Sequence, residues 1–211
     1  MKMTNSHHNA DTLVILDFET TGLSPNMGDR TIEIGAVRIQ NGEVVDSFQE
    51  LMDPGFLIDA FIEGYTGITN DMLAEARSCE SVMQDFADYL GDDNLVAHNA
   101  SFDRRFLDAE FEEIDRSYCG EFACSMLLAR RLYQEAPNHQ LGTLIDYKNI
   151  PSSGDFHRAL FDAEMTTKLW LEMMMDISNR SQIERPSFEL VSKLTRTPKK
   201  MISNTLESWV S

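Results

Sequence analysis

The period of the apolar positions changes several times along the chain. Residues 13–18 (LVILDF) form a short apolar run that ends in charge, the pattern of a strand buried on both faces. Residues 31–40 (TIEIGAVRIQ) are rich in β-branched side chains; Asn41-Gly42 follows, and residues 43–51 (EVVDSFQEL) complete the unit. Two such runs joined by Asn-Gly predict a hairpin, so the first three strands read as a meander. From 70 to 90 the spacing is helical, with Met72, Leu73, Ala76, Val82, Met83, Phe86 and Leu90 apolar, and Gly91-Asp92-Asp93 ends the segment. Leu95-Val96-Ala97-His98 reads as a fourth, buried strand, and Ser101 as the N-cap of a helix reaching Ile114. Helical patterns also fit 123–134, 141–147 and 158–175.

Three strands followed by alternating helices and strands predict an α/β domain around a mixed sheet. A polar, proline-marked stretch at 178–187 then leads to two short helical patterns. The expected organisation is a disordered tail over 1–11, a main domain over 12–177 and a helical C-terminal extension over 178–211. There are no internal repeats.

Composition narrows the function classes. The chain has 211 residues, enough for one large domain with a core. No apolar run reaches eighteen residues, so no membrane partner is expected. The first twelve residues lack an apolar signal core, and the three cysteines (Cys79, Cys119, Cys124) have no Cys-x-x-Cys spacing. Reduced thiols in a cytoplasmic protein are the expectation, without zinc. The formal net charge of −17 argues against a broad basic face for coating nucleic acid. It argues less against an enzyme that holds a few terminal nucleotides through metal ions, since the ligand carboxylates add to the negative count.

Candidate chemistry lies in three segments. In Asp17-Phe18-Glu19, at the end of the first strand, residues i and i+2 share a face, so two carboxylates stand side by side. They repel unless a cation lies between them; alternatively, one is a solvated strand-end group and the other a helix cap. In His98-Asn99-Ala100-Ser101-Phe102-Asp103, Asp103 falls in the first helical turn, where it either complements the helix dipole or serves a site. In His157-Arg158-Ala159-Leu160-Phe161-Asp162, the five-residue spacing lets His157 and Asp162 converge only if His157 precedes the helix, a placement that Gly154-Asp155-Phe156 supports. Asp162, among small Ala159 and Ala163, is either salt-bridged or metal-bound. Four carboxylates and a histidine that can face one cleft suit Mg²⁺ or Mn²⁺ rather than zinc. Two such ions about 4 Å apart clamp the attacking and departing oxygens of a phosphodiester.

These segments, with Thr20-Thr21-Gly22-Leu23 continuing the first, resemble the three motifs of the DEDDh exonuclease family, the epsilon-like proofreading and ribonuclease T-like enzymes, across about residues 12–176. The resemblance implies a ribonuclease H-like fold with a five-stranded mixed sheet flanked by helices, although the fifth strand is not visible in the pattern. It implies 3′→5′ exonuclease activity with two divalent cations, Mg²⁺ or Mn²⁺. Asp17, Glu19, Asp103 and Asp162 become metal ligands and His157 the general base. Thr20, Thr21, Gly22, Leu23 and Phe102 become contacts to a 3′-terminal, single-stranded nucleotide, DNA ahead of RNA. Core packing is the alternative for Leu23 and Phe102, and a structural hydrogen bond for His98. In Tyr65-Thr66-Gly67-Ile68-Thr69, Thr66 stands where the family often has His. A DNA polymerase partner or a homodimer stays open. Other readings are a noncatalytic partner-binding module on this fold and a phosphodiesterase of small nucleotides or oligoribonucleotides. Residues 180–211 carry six basic and three acidic side chains, either a basic path or a docking extension.

Overall fold

The computed structural model describes residues 9–154 and 157–209. Leu13–Thr20 forms β1, Thr31–Gln40 β2 and Glu43–Asp53 β3, an antiparallel meander. Its tight turn is Asn41-Gly42, where φ is 53° and 81°, as a two-residue hairpin of this hand requires. β4 (Arg77–Ser78) runs parallel to the end of β3; β5 (Leu95–Ala97) runs parallel to β1, and β6 (Phe122–Cys124) parallel to β5. The order is β4-β3-β2-β1-β5-β6. The sheet is mixed, as expected, but has six strands rather than five. The additional edge strand is two residues long, and β6, three residues long, lies at the start of what the pattern suggested was one helix over 123–134.

Nine α-helices are described: α1 (Ala60–Thr66), α2 (Asn70–Ala74), α3 (Cys79–Leu90), α4 (Ser101–Glu113), α5 (Ser125–Leu132), α6 (Leu141–Tyr147), α7 (Ala159–Ser181), α8 (Phe188–Arg196) and α9 (Ile202–Trp209). The single helix expected over 70–90 is broken in two. Arg77-Ser78 pairs with β3, and the Ser78 hydroxyl then accepts from the Ser81 N–H to cap α3. Ser101 is the first helical residue rather than the cap, which falls on Ala100 without a side-chain hydrogen bond.

The alternation of β1 explains the layering. Leu13 and Ile15 pack with α5, α6 and α7 on one face, while Val14, Leu16 and Phe18 pack with α3 and α4 on the other. A central strand covered on both sides reads as an unbroken apolar run. Each fully buried Leu or Ile contributes roughly 1.5–3 kcal/mol. Ile32, Ile58, Ile68 and Leu73 form a third, smaller cluster beneath α1 and α2.

α7 continues past the expected boundary at residue 177, and Leu190, Val191, Leu194, Ile202 and Leu206 of α8 and α9 join the core that contains Leu13 and Trp170. The C-terminal segment is therefore packed into the same body. Of the expected tail over 1–11, residues 1–8 lie outside the described residues. Asn9 bridges to Ser187, and Ala10 is buried with its carbonyl accepting from Trp170 Nε1–H at 2.6 Å. Among the described residues, no helix is long and apolar enough to cross a membrane.

Candidate active site

The C-terminal end of β1 places Asp17 opposite Gly35 and Glu19 opposite Glu33 on β2. By the period of two, both acids continue the Leu13–Ile15 face, the side covered by α7. Gly35 sets how closely α7 approaches: a Cβ there would overlap the backbone of Ala159 and Leu160. Glu33, fully buried, then fastens the helix start. Its carboxylate accepts from Arg158 Nη2 and Nε (2.8 and 3.1 Å), from the Ala159 N–H (3.1 Å) and from Gln49 Nε2 (2.9 Å). The first turn of α7 is thus pinned over the strand that carries Asp17 and Glu19.

Asp162 lies in that first turn, buried, and His157 lies two residues ahead of the helix, exposed, as the spacing required. The His157 backbone is left-handed, with φ of 72°, and its N–H donates to Asp162 Oδ2 at 3.0 Å. Asp162 Oδ1 is buried with no hydrogen-bond partner. A carboxylate oxygen of Glu19, one of Asp162 and a ring nitrogen of His157 all lie within 4.8 Å of one another. Asp155 and Phe156, part of the loop expected ahead of His157, lie outside the described residues.

Asp103 enters from the first turn of α4 and is buried. Burial raises its carboxyl to about 7 against the opposing effect of the N–H groups of Phe18 and of Asp103 itself. Burial raises Glu19 to about 8, reinforced by the charges of Asp162, Glu33 and Asp103, while Arg158 opposes the shift. Asp17 is pushed well above the usual carboxylate range, by burial first and then by Asp103, Asp162, Glu19 and Glu33. Asp162 is also raised by burial, partly offset by its bond to the His157 N–H. Four carboxyls each made reluctant to ionise by burial describe a site short of positive charge.

Asp17, Glu19, Asp103, His157 and Asp162 all line one cleft of about 740 Å³. Thr20, Thr21, Gly22, Leu23 and Phe102 line it too. Thr20 Oγ1 donates to the Gly22 carbonyl at 2.7 Å, and the Thr21 N–H to the Arg30 carbonyl at 2.9 Å, so these two groups serve the loop itself. Leu23 is 77% exposed, which excludes core packing, whereas Phe102 is half-buried against Phe106. His98 Nε2–H donates to the His139 carbonyl at 2.9 Å, leaving Nδ1 to accept from the Ser125 hydroxyl, also at 2.9 Å. Thr66 is buried, its hydroxyl donating to the Ile62 carbonyl.

The sequence reading missed the neighbours of this cluster. Tyr65 stacks on the His157 ring with centroids 4.2 Å apart, and Phe61 joins Tyr65 on the cleft wall. Their i, i+4 spacing with both rings exposed was the available signal. Glu33 gave none, since a lone acid in a strand reads as a solvated face. An adjoining chamber shares Asp17, His157 and Asp162 and extends to Met126, Arg130, His139 and Gln140.

The sequence model of the exonuclease family (RNase_T) matches residues 14–170. The DNA polymerase III PolC-type of Bacillus subtilis (strain 168) is 39% identical over 173 residues, 81% of this chain. The chain spans only 12% of that protein's length. Among solved structures, exonuclease X in complex with 5′ overhanging duplex DNA is 30% identical, with a TM-score of 0.67, over 87% of this chain and 99% of that one. The nuclease domain of 3′hExo, a DEDDh family member bound to rAMP, shares the fold at a TM-score of 0.67 and 21% identity, over 82% of this chain and 95% of that one.

Proposed function

The chain belongs to the exonuclease family, and from that premise we propose that it hydrolyses phosphodiester bonds at the 3′ end of nucleic acid, releasing one nucleotide at a time. The observation that carries this reading is the Glu19–His157–Asp162 cluster with its orphaned, buried Asp162 Oδ1. A buried carboxylate oxygen without a donor is costly unless a cation meets it. The donor set, hard oxygens with one imidazole at the rim, fits Mg²⁺ or Mn²⁺.

Asp17, Glu19 and Asp162 would hold the cations, with Asp17 shared between two, and Asp103 would act through water. Bound divalent cations supply the positive charge that the site lacks and polarise the phosphate. His157, neutral and at the exposed edge of the cluster, accepts the proton of the water that attacks phosphorus. The bond from phosphorus to the 3′ oxygen of the preceding sugar breaks, and that oxygen takes up a proton. Asp162 Oδ2, by accepting the His157 N–H, fixes the backbone from which the imidazole is presented.

DNA is favoured over RNA, in keeping with the polymerase relative and with the duplex DNA of the exonuclease X complex. The relative also suggests a polymerase as working partner. The test is digestion of 3′-labelled and 5′-labelled single-stranded DNA and RNA with Mg²⁺, Mn²⁺ or chelator, beside Asp17→Ala. A metal-dependent ladder from the 3′ end, absent in D17A, is expected. Cleavage of dinucleotides alone would identify a small-nucleotide phosphodiesterase, and no cleavage of any substrate a partner-binding module.

A further inference from the structure

The mouth of the cleft carries two large aromatic rings that the catalytic cluster does not account for. Phe61 is 73% exposed and Tyr65 is 53% exposed, yet their rings lie 11° from parallel with centroids 6.0 Å apart. Phe61 and Tyr65 are one helical turn apart on α1, and both line the catalytic cleft. The helix beneath them is held firmly. Asp59 Oδ1 accepts from the N–H groups of Phe61 and Ile62 at 2.9 and 3.0 Å, and Ile62 packs into the small cluster with Ile58, Ile68 and Leu73. Thr66, on that inner side, is buried. The aromatic face is therefore presented outward by a fixed support, at a place where exposed apolar surface has to be explained.

Charge favours one kind of occupant. The body carries a net charge of −17, and among the described residues lining the cleft and its adjoining chamber the one arginine or lysine is Arg130. A strand passing here finds little phosphate neutralisation and must be held through its bases. Aromatic faces do this without reading sequence. We infer that Phe61 and Tyr65 form a stacking ledge for an unpaired base upstream of the terminal nucleotide, which makes a single-stranded 3′ tail the preferred substrate. The inference rests on the exonuclease reading above and extends its site by one subsite. Tyr65 joins the ledge to the His157 ring, so a base stacked there abuts the catalytic edge.

Phe61 gives the cleaner test because its ring stacks on Tyr65 rather than on the catalytic histidine. The full chain is assayed in Mn²⁺ on a single-stranded oligothymidylate and on thymidine 5′-(4-nitrophenyl) phosphate, which has one base and nothing upstream. Phe61→Ala should raise KM for the oligonucleotide roughly tenfold, the loss of one base stack, with kcat and hydrolysis of the nitrophenyl ester within about twofold of wild type. Phe61→Trp should keep the wild-type KM. Placed in a His157→Ala background, it should show indole fluorescence quenched by the oligonucleotide without turnover. F61A acting like wild type on both substrates, or slowed equally on both, would overturn the ledge. If the wild type hydrolyses neither substrate, the exonuclease reading fails instead, and the fluorescence titration alone decides the ledge: quenching supports it and a flat response rejects it.

Discussion

The His157 N–H and Asp162 Oδ2, 3.0 Å apart, join the loop to the helix it precedes, and the bond leaves the other oxygen of Asp162 buried without a partner. One carboxylate thus holds the backbone of the proposed base with one oxygen and offers the second to the centre of the cluster. This division of labour makes the two residues separable by mutation.

His157→Ala keeps the backbone N–H and so keeps Asp162 in place. Turnover should fall by about 10²–10⁴-fold, the usual worth of a positioned acid–base group, while the rise in Tm on adding Mn²⁺ persists. Asp162→Asn should lose both turnover and the Mn²⁺-dependent rise in Tm. Calorimetry with and without the cation, beside a single-turnover assay, checks the pair; equal loss of cation response in both variants would refute the assignment of His157 as base.

The crowding of carboxylates predicts an inverted effect on stability. Asp17 is pressed by burial and by four acidic neighbours, so removing its charge relieves the chelated protein. At neutral pH in chelator, Asp17→Asn should raise Tm by roughly 2–4 °C, equivalent to about 1 kcal/mol. In saturating Mn²⁺ the order should reverse, because the wild type alone gains the full binding free energy. A lower Tm for D17N under both conditions would mean that the acid is held by hydrogen bonds rather than waiting for a cation.

Much of this site was legible in the sequence. The i, i+2 rule puts Asp17 and Glu19 on one face, and the five-residue interval forces His157 off the helix that bears Asp162; the structure starts α7 at Ala159, as that argument demands. The Asn41-Gly42 turn fixed the hairpin to the residue. Periodicity fails where elements are too short to express it: β4 has two residues and β6 three, and both were absorbed into neighbouring helical patterns. It also says nothing of long-range partners. Glu33 lies 125 residues from Arg158 in the sequence, and only the fold shows that it anchors α7.

That anchoring gives a third prediction. Gly35 lets the backbone of Ala159 and Leu160 lie against β2, and Asp162 follows one turn later. Gly35→Ala would push the helix start outward. The expected destabilisation is about 2 kcal/mol or more by urea titration, since the neighbour is backbone and cannot turn aside. The activity of the folded fraction should drop further than stability alone explains. Full activity per folded molecule in G35A would show that the cluster tolerates displacement of α7.

His98 supplies a pH dependence outside the metal cluster. Burial pushes its imidazole down to about 4, whereas an unfolded histidine titrates near 6.5. In the folded protein Nε2–H faces the His139 carbonyl and Nδ1 accepts from Ser125. Protonating Nδ1 would set two donors against each other unless the hydroxyl turns, and Ser125 Oγ has the Ala97 carbonyl at 3.2 Å as its other acceptor. Between about pH 6.5 and pH 4 the unfolded chain binds a proton at this position that the folded chain refuses, so stability falls as pH falls through that window. By pH 4.5 this should amount to about 2–3 kcal/mol. Other groups titrate in the same range, so the quantity to measure is the stability gap between wild type and His98→Asn, taken by urea denaturation at pH 7.5 and pH 4.5. The gap should narrow as the pH falls, because only the wild type carries this penalty. An unchanged gap would mean that the folded protein accepts the proton, with Ser125 turning its hydroxyl to Ala97 and the imidazolium held between two oxygens.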